Sequence, residues 1–162
     1  MKDLTAMTRA VGELLKTHKH TVAVAESSTG GLIAAALLAV PGASAFFLGG
    51  GVIYTLEARR ALLALPDEAL AGVRPSTEEY ALRLARTIRQ RLGTTWGLAE
   101  SGATGPTGNR YGDPPGHSCI GITGPVEKAF TVETGQADRE ANMWVFTQAA
   151  LELLEASIKE SL

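Results

Sequence analysis

Apolar and polar positions change period along the chain, and the changes outline its elements. Leu4, Met7, Val11, Leu14 and Leu15 recur at helical spacing and predict an amphipathic helix ending near His18. TVAVA (21–25) follows as a short strand rich in β-branched residues. GGLIAAALLAV (30–40) is apolar nearly all round, which predicts a helix packed between other elements and stopped by Pro41-Gly42. GGGVIYT (49–55) reads as a second buried strand, and LEARRALLAL (56–65) as a short helix closed by Pro66.

Ser76-Thr77-Glu78-Glu79 has the pattern of a capping box, with Ser76 as cap and Glu79 three residues on, opening a helix to about Leu92. TTWGLAES (94–101) is the next strand, followed by a Gly/Pro/Asn-rich loop from Gly102 to Gly116. SCIGIT (118–123) and KAFTVET (128–134) flank Gly124-Pro125-Val126-Glu127 as a hairpin. Asp138 begins a final helix whose apolar residues include Val145, Phe146, Leu151, Leu154 and Ile158. No internal repeat, linker or low-complexity segment is evident. Strands alternate with helices until the late hairpin interrupts them, an order that predicts a layered α/β domain with a mixed sheet.

The chain has 162 residues, which predicts one domain over 1–162. A net charge of −2 argues against a nucleic-acid binder. The basic clusters, Arg59-Arg60 and Arg83, Arg86, Arg89 and Arg91, read as solvated helix faces. Cys119 is the only cysteine, so no intramolecular disulfide can form and a reducing cytoplasm is the expected location. Its apolar surroundings predict a buried strand residue. The N-terminal stretch carries charges every few residues and reads as neither a signal peptide nor a membrane anchor. Three scattered histidines and one cysteine make no metal ligand set, and no cofactor is expected.

Glu26-Ser27-Ser28-Thr29-Gly30-Gly31 stands between a strand and a helix, at the edge of the sheet where open α/β folds bind ligands. Unpaired N–H groups of the helix, and glycines that let a substrate approach the backbone, suit a nucleophilic serine beside an oxyanion or phosphate site. Equally, Ser28 or Thr29 can simply cap the helix. The stretch matches neither the P-loop pattern nor the G-x-S-x-G elbow.

Three further stretches extend the pattern: Tyr54-Thr55-Leu56-Glu57-Ala58-Arg59, Ser101-Gly102-Ala103-Thr104-Gly105-Pro106, and Asp138-Arg139. With Ala25-Glu26-Ser27-Ser28-Thr29-Gly30-Gly31 they follow, in order over almost the whole chain, the motifs AES-C-TGG, Y-S-N-E-A-K, T/S-G-I-A-G-P and D-R. The sequence thus resembles the CinA C-terminal domain, the nicotinamide-nucleotide amidohydrolase family. The resemblance implies a three-layer α/β/α fold, a homodimer or larger homo-oligomer, and hydrolysis of nicotinamide mononucleotide to nicotinic acid mononucleotide and ammonia. It implies a nucleophile at Ser27, a site-lining tyrosine at Tyr54, and a base at the position of Arg59. Glu26, Ser28, Thr29, Gly30, Gly31, Gly102, Ala103, Thr104, Gly105 and Arg139 are the implied substrate contacts.

Two departures qualify that reading. Where the family has a lysine that takes the serine proton, this chain has Arg59, and a guanidinium offers donors only. His117, after the glycine-rich loop, is a candidate substitute base. Where family members often carry arginines in the last helix, this chain has Asn142-Met143-Trp144, which weakens the case for a phosphate there and suggests an apolar ligand or subunit contact. The alternative function is therefore a catalytically impaired member that binds a nucleotide or small metabolite.

Overall fold

Five strands form a single mixed sheet in the order β2-β1-β3-β4-β5, in a computed structural model that describes residues 2–162. The chain runs α1 (Leu4–His18), β1 (Val22–Glu26), α2 (Leu32–Leu38), β2 (Phe47–Val52), α3 (Leu56–Leu63), α4 (Glu78–Leu92), β3 (Trp96–Ala103), β4 (His117–Thr123), β5 (Lys128–Glu133) and α5 (Arg139–Glu160). β1 pairs in parallel with β2 and β3, whereas β3–β4 and β4–β5 are antiparallel. The chain leaves β1 through α2 to reach β2 on one side, then returns through α3 and α4 to β3 on the other. The end of β1 is consequently a topological switch point, where such sheets open a crevice.

Side-chain alternation along the strands builds two cores. Val22, Val24, Trp96, Leu98, Ile120 and Ile122 face α1, α2 and α5, while Ala23, Ala25 and Ala99 face α3 and α4. The small residues let α4 lie close to the sheet. A side chain at Gly97 would bring its Cβ within 2.2 Å of the Ala85 carbonyl oxygen on α4. The layers are thus helix, sheet, helix, as expected.

Several local expectations change. GGGVIYT is not a buried strand. β2 starts two residues earlier, ends at Val52 and forms an edge, because β1 is its sole neighbour, and Leu48 and Val52 face outward from it. Ser76 does not cap α4. Its φ is +60°, and Thr77 supplies the cap, its hydroxyl accepting from the Tyr80 N–H at 3.2 Å. Glu79 pairs instead with Arg83 at 2.7 Å. Arg59 is buried rather than solvated. α5 starts as expected, with Asp138 as its cap. Cys119 is buried, which pushes its thiol pKa up.

Candidate active site

The turn between β1 and α2 gives the site its shape. Gly30 (φ +63°) and Gly31 (φ +102°) are both left-handed, a conformation glycine adopts without the cost a Cβ brings. Neither Ser28 nor Thr29 caps the helix. The Glu26 carboxylate reaches under it and accepts from the N–H groups of Gly31 (3.1 Å), Ile33 (2.9 Å) and Ala34 (2.9 Å), and from the Thr29 hydroxyl (2.7 Å). A strand-end carboxylate thus satisfies the helix start and complements its dipole.

A second buried carboxylate, unforeseen in the sequence, lies beside it. Glu100 on β3 accepts from the N–H groups of Ser27 (3.0 Å) and Thr29 (3.2 Å), and is bonded to the Ser28 hydroxyl and, at 3.3 Å, to that of Ser118. Burial raises the Glu100 carboxyl above the ordinary carboxylate range. The bonds from Ser28, Ser27 and Thr29 pull against that rise and the charge of Glu26 adds to it.

On the opposite face of the sheet, at the same strand ends, a cleft of about 460 Å³ opens. Ser27 and Gly102 line it, and so do Tyr54, Tyr80 and Tyr111, all three tyrosines of the chain. Ser76 and Ser101 contribute further hydroxyls, Arg110 a guanidinium and Glu57 the one carboxylate of the lining. Ser76 owes its left-handed backbone to its bonds: its N–H donates to Ser101 Oγ (3.0 Å), and its carbonyl oxygen lies 2.9 Å from His117 Nε2. A non-glycine residue held at positive φ at a cleft is a common companion of function.

Of the residues expected at the site, Ser27, Tyr54 and Gly102 line the cleft together. Arg139 stands behind Tyr54, donating to its hydroxyl (3.2 Å) and to the Gly105 carbonyl (2.5 Å). Arg59 does not reach the lining. Its guanidinium is bonded to Asp67 (2.7 Å) and donates to the Tyr80 hydroxyl (3.3 Å), so it meets the cleft only through Tyr80. Glu26, Ser28, Thr29, Gly30, Gly31, Ala103, Thr104 and Gly105, expected as substrate contacts, are not among the lining residues of the cleft.

His117 also lies outside the lining. Its Nδ1 is 2.5 Å from Glu133 and its Nε2 faces the Ser76 carbonyl, with Asp113 3.6 Å away. Burial disfavours the charged ring, but Glu133, the Ser76 carbonyl and Asp113 outweigh it, and the pKa is raised above 6.5. With an acceptor at each nitrogen, the ring satisfies both only as imidazolium, a poor base toward Ser27. Asn142 fastens the glycine-rich loop, donating to the carbonyls of Thr104 (2.8 Å) and Gln136 (2.9 Å). Met143 closes over Gly30, its Cε 3.2 Å from where a Cβ there would stand.

Glu57, Ser76, Tyr80, Glu100, Ser101, Arg110 and Tyr111 were not expected as site residues from the sequence. One signal was present: Ala-Glu-Ser occurs twice, at 25–27 and 99–101, and Ala25 pairs with Ala99 on adjacent parallel strands.

A family model of the CinA C-terminal domain matches residues 4–158. A CinA-like protein of Desulfosudis oleivorans is 39% identical over 155 residues, covering 94% of this chain and 37% of that protein. One from Synechococcus elongatus is 37% identical over 153 residues, covering 94% and 36%. The chain thus spans little more than a third of the curated relatives it matches. The crystal structure of competence damage-inducible protein A from Klebsiella pneumoniae superposes with a TM-score of 0.91 at 26% identity, covering 99% of this chain and 100% of that one. The crystal structure of competence/damage inducible protein CihA from Agrobacterium tumefaciens gives 0.88 at 27% identity, with 98% and 97% covered.

Proposed function

The chain belongs to the CinA C-terminal domain family, and from that premise we propose that it hydrolyses the carboxamide of a pyridine nucleotide, nicotinamide mononucleotide foremost, with Ser27 as nucleophile. Ser27 Oγ attacks the carboxamide carbon, the C–N bond breaks and ammonia leaves. Water then cleaves the acyl ester to release nicotinic acid mononucleotide and restore the hydroxyl. The observation that carries this reading is the position of Ser27, on the turn at the switch point, in a cleft whose lining includes Tyr54, Tyr80 and Tyr111, aromatic residues of the kind that receive a pyridine.

Arg59 does not take the serine proton, being charged and bonded to Asp67 and Tyr80. Glu57, in the first turn of α3, is the one carboxylate of the lining and fills that role, directly or through a water. Arg110, which makes no ion pair among the described residues, and Arg139 are the cations available to a phosphate. Ammonia release measured across pyridine nucleotides and nucleosides tests the reading. Release from the mononucleotide supports it, and release from none refutes it.

The engagement of Arg59 favours a second reading, a member that keeps the cleft and binds a nucleotide or small metabolite without turnover. Saturable binding of nicotinamide mononucleotide with no ammonia released would select it.

A further inference from the structure

We infer that Glu100 is a positioning residue for the Ser27 turn and acts as a neutral carboxyl group, the protonated member of a buried acid pair with Glu26. The inference rests on Ser27 being the reacting residue.

Alternation along β1 and β3 separates two layers at the strand ends. Ser27 and Ser101 face the cleft, whereas the glutamates before them face the other way, Glu26 toward the start of α2 and Glu100 toward the turn that precedes it. Glu26 is 1% exposed and Glu100 fully buried. No lysine, arginine or histidine makes an ion pair or hydrogen bond with either among the described residues. One hydroxyl proton stands between them, because Thr29 Oγ1 is 2.7 Å from Glu26 Oε1 and 3.2 Å from Glu100 Oε2. Two buried, unneutralised carboxylates that share one hydroxyl do not both ionise.

The donor sets decide which one holds the proton. Glu26 faces three backbone N–H groups at a helix start, groups that only donate and that favour an anion. Glu100 Oε1 faces the hydroxyls of Ser28 and Ser118, and a hydroxyl can turn to accept. A proton on Oε1 is therefore donated to Ser28 Oγ. Oε2 keeps the N–H groups of Ser27 and Thr29. Around this carboxyl β1 presents Glu26, β4 the Ser118 hydroxyl and the turn the hydroxyls of Ser28 and Thr29. Burial raises its proton affinity, the bonds from Ser28, Ser27 and Thr29 oppose that rise, and Glu26 is the charge that adds to it. The bond from the Ser27 N–H then fixes the backbone from which the Ser27 hydroxyl enters the cleft.

Glu100→Gln preserves the shape and hydrogen-bonding pattern of a neutral carboxyl, while Glu100→Ala removes both. The expectation is that Gln keeps kcat within about threefold of wild type, while Ala lowers kcat by about 10 to 100-fold with little change in KM, as displacement of a reacting group by about 1 Å does. Wild-type kcat should fall at high pH as Glu100 ionises, and Glu100→Gln should lack that fall. Two readouts need no substrate. An infrared band of a protonated carboxylic acid, present in wild type at neutral pH, should vanish in Glu100→Gln. The Ser27 amide proton resonance should hold its position in Gln and move in Ala.

A band that survives Glu100→Gln, or a Ser27 resonance that moves equally in both variants, overturns the inference. If Ala does not fold, the Gln variant alone still decides through the band, the resonance and the pH profile. A wild type that releases no ammonia but shows the expected band and resonances would sink the amidase reading and leave the neutral acid pair standing.

Discussion

Glu26→Gln is expected to destabilise the protein although it changes one atom. Glu26 Oε1 accepts from Thr29 Oγ1 and the N–H groups of Gly31 and Ile33, while Oε2 accepts from the Ala34 N–H at 2.9 Å. An amide oxygen can serve the first three. The amide NH2 then confronts the Ala34 N–H, leaving a donor without acceptor at a cost of about 1 to 3 kcal/mol. Loss of the anion at the helix start removes up to about 2 kcal/mol more, and the three remaining bonds weaken as they cease to be charge-assisted. Relief from the neighbouring Glu100 offsets part, so the net is about 3 kcal/mol, a fall in Tm of roughly 6 to 12 °C for a chain of this size. Urea denaturation followed by circular dichroism should show a lower midpoint at unchanged slope. A Glu26→Gln midpoint within about 1 kcal/mol of wild type would refute the assignment of Glu26 as the anion that seats α2.

Other outcomes follow from the same geometry. Glu57→Gln should lower kcat by about 10² to 10⁴-fold if Glu57 takes the Ser27 proton, and unchanged turnover would exclude it. His117, its pKa raised by its partners, contributes stability that is complete below the unfolded value of about 6.5 and lost as pH rises through the folded value, so His117→Gln should flatten the decline of stability with pH above neutrality. A steeper decline in the variant would contradict this. β2 is an edge strand that exposes Leu48 and Val52, and sedimentation should find a dimer or larger assembly, whereas monomer alone at micromolar concentration would count against it.

The layered fold was legible in the sequence because its signals are local. The periodicity of α1 and α4, the Asp138 cap and the Gly-Pro hairpin each declare themselves within a few residues. β2 misled because its three glycines carry no side chains to betray a face, and its edge position depends on strand order. Arg59 misled for a related reason. Its neighbour Arg60 is exposed, and only the packing of α3 against α4 buries Arg59 beside Tyr80. The site was legible at Ser27, Tyr54 and Gly102, which lie at the ends of β1, β2 and β3 inside the motifs that carry the family resemblance. Glu100, Ser101 and Tyr80 join it through pairing and packing between distant segments, which no single stretch of sequence displays, although the repeated Ala-Glu-Ser hinted at the first two.

Wild type and Ser27→Ala, assayed side by side for ammonia release from nicotinamide mononucleotide and for nucleotide binding by calorimetry, test the central claim most directly. The account expects wild type to release ammonia, the variant to release none and both to bind the nucleotide. Equal release by the two proteins, or binding by both with release by neither, would contradict it.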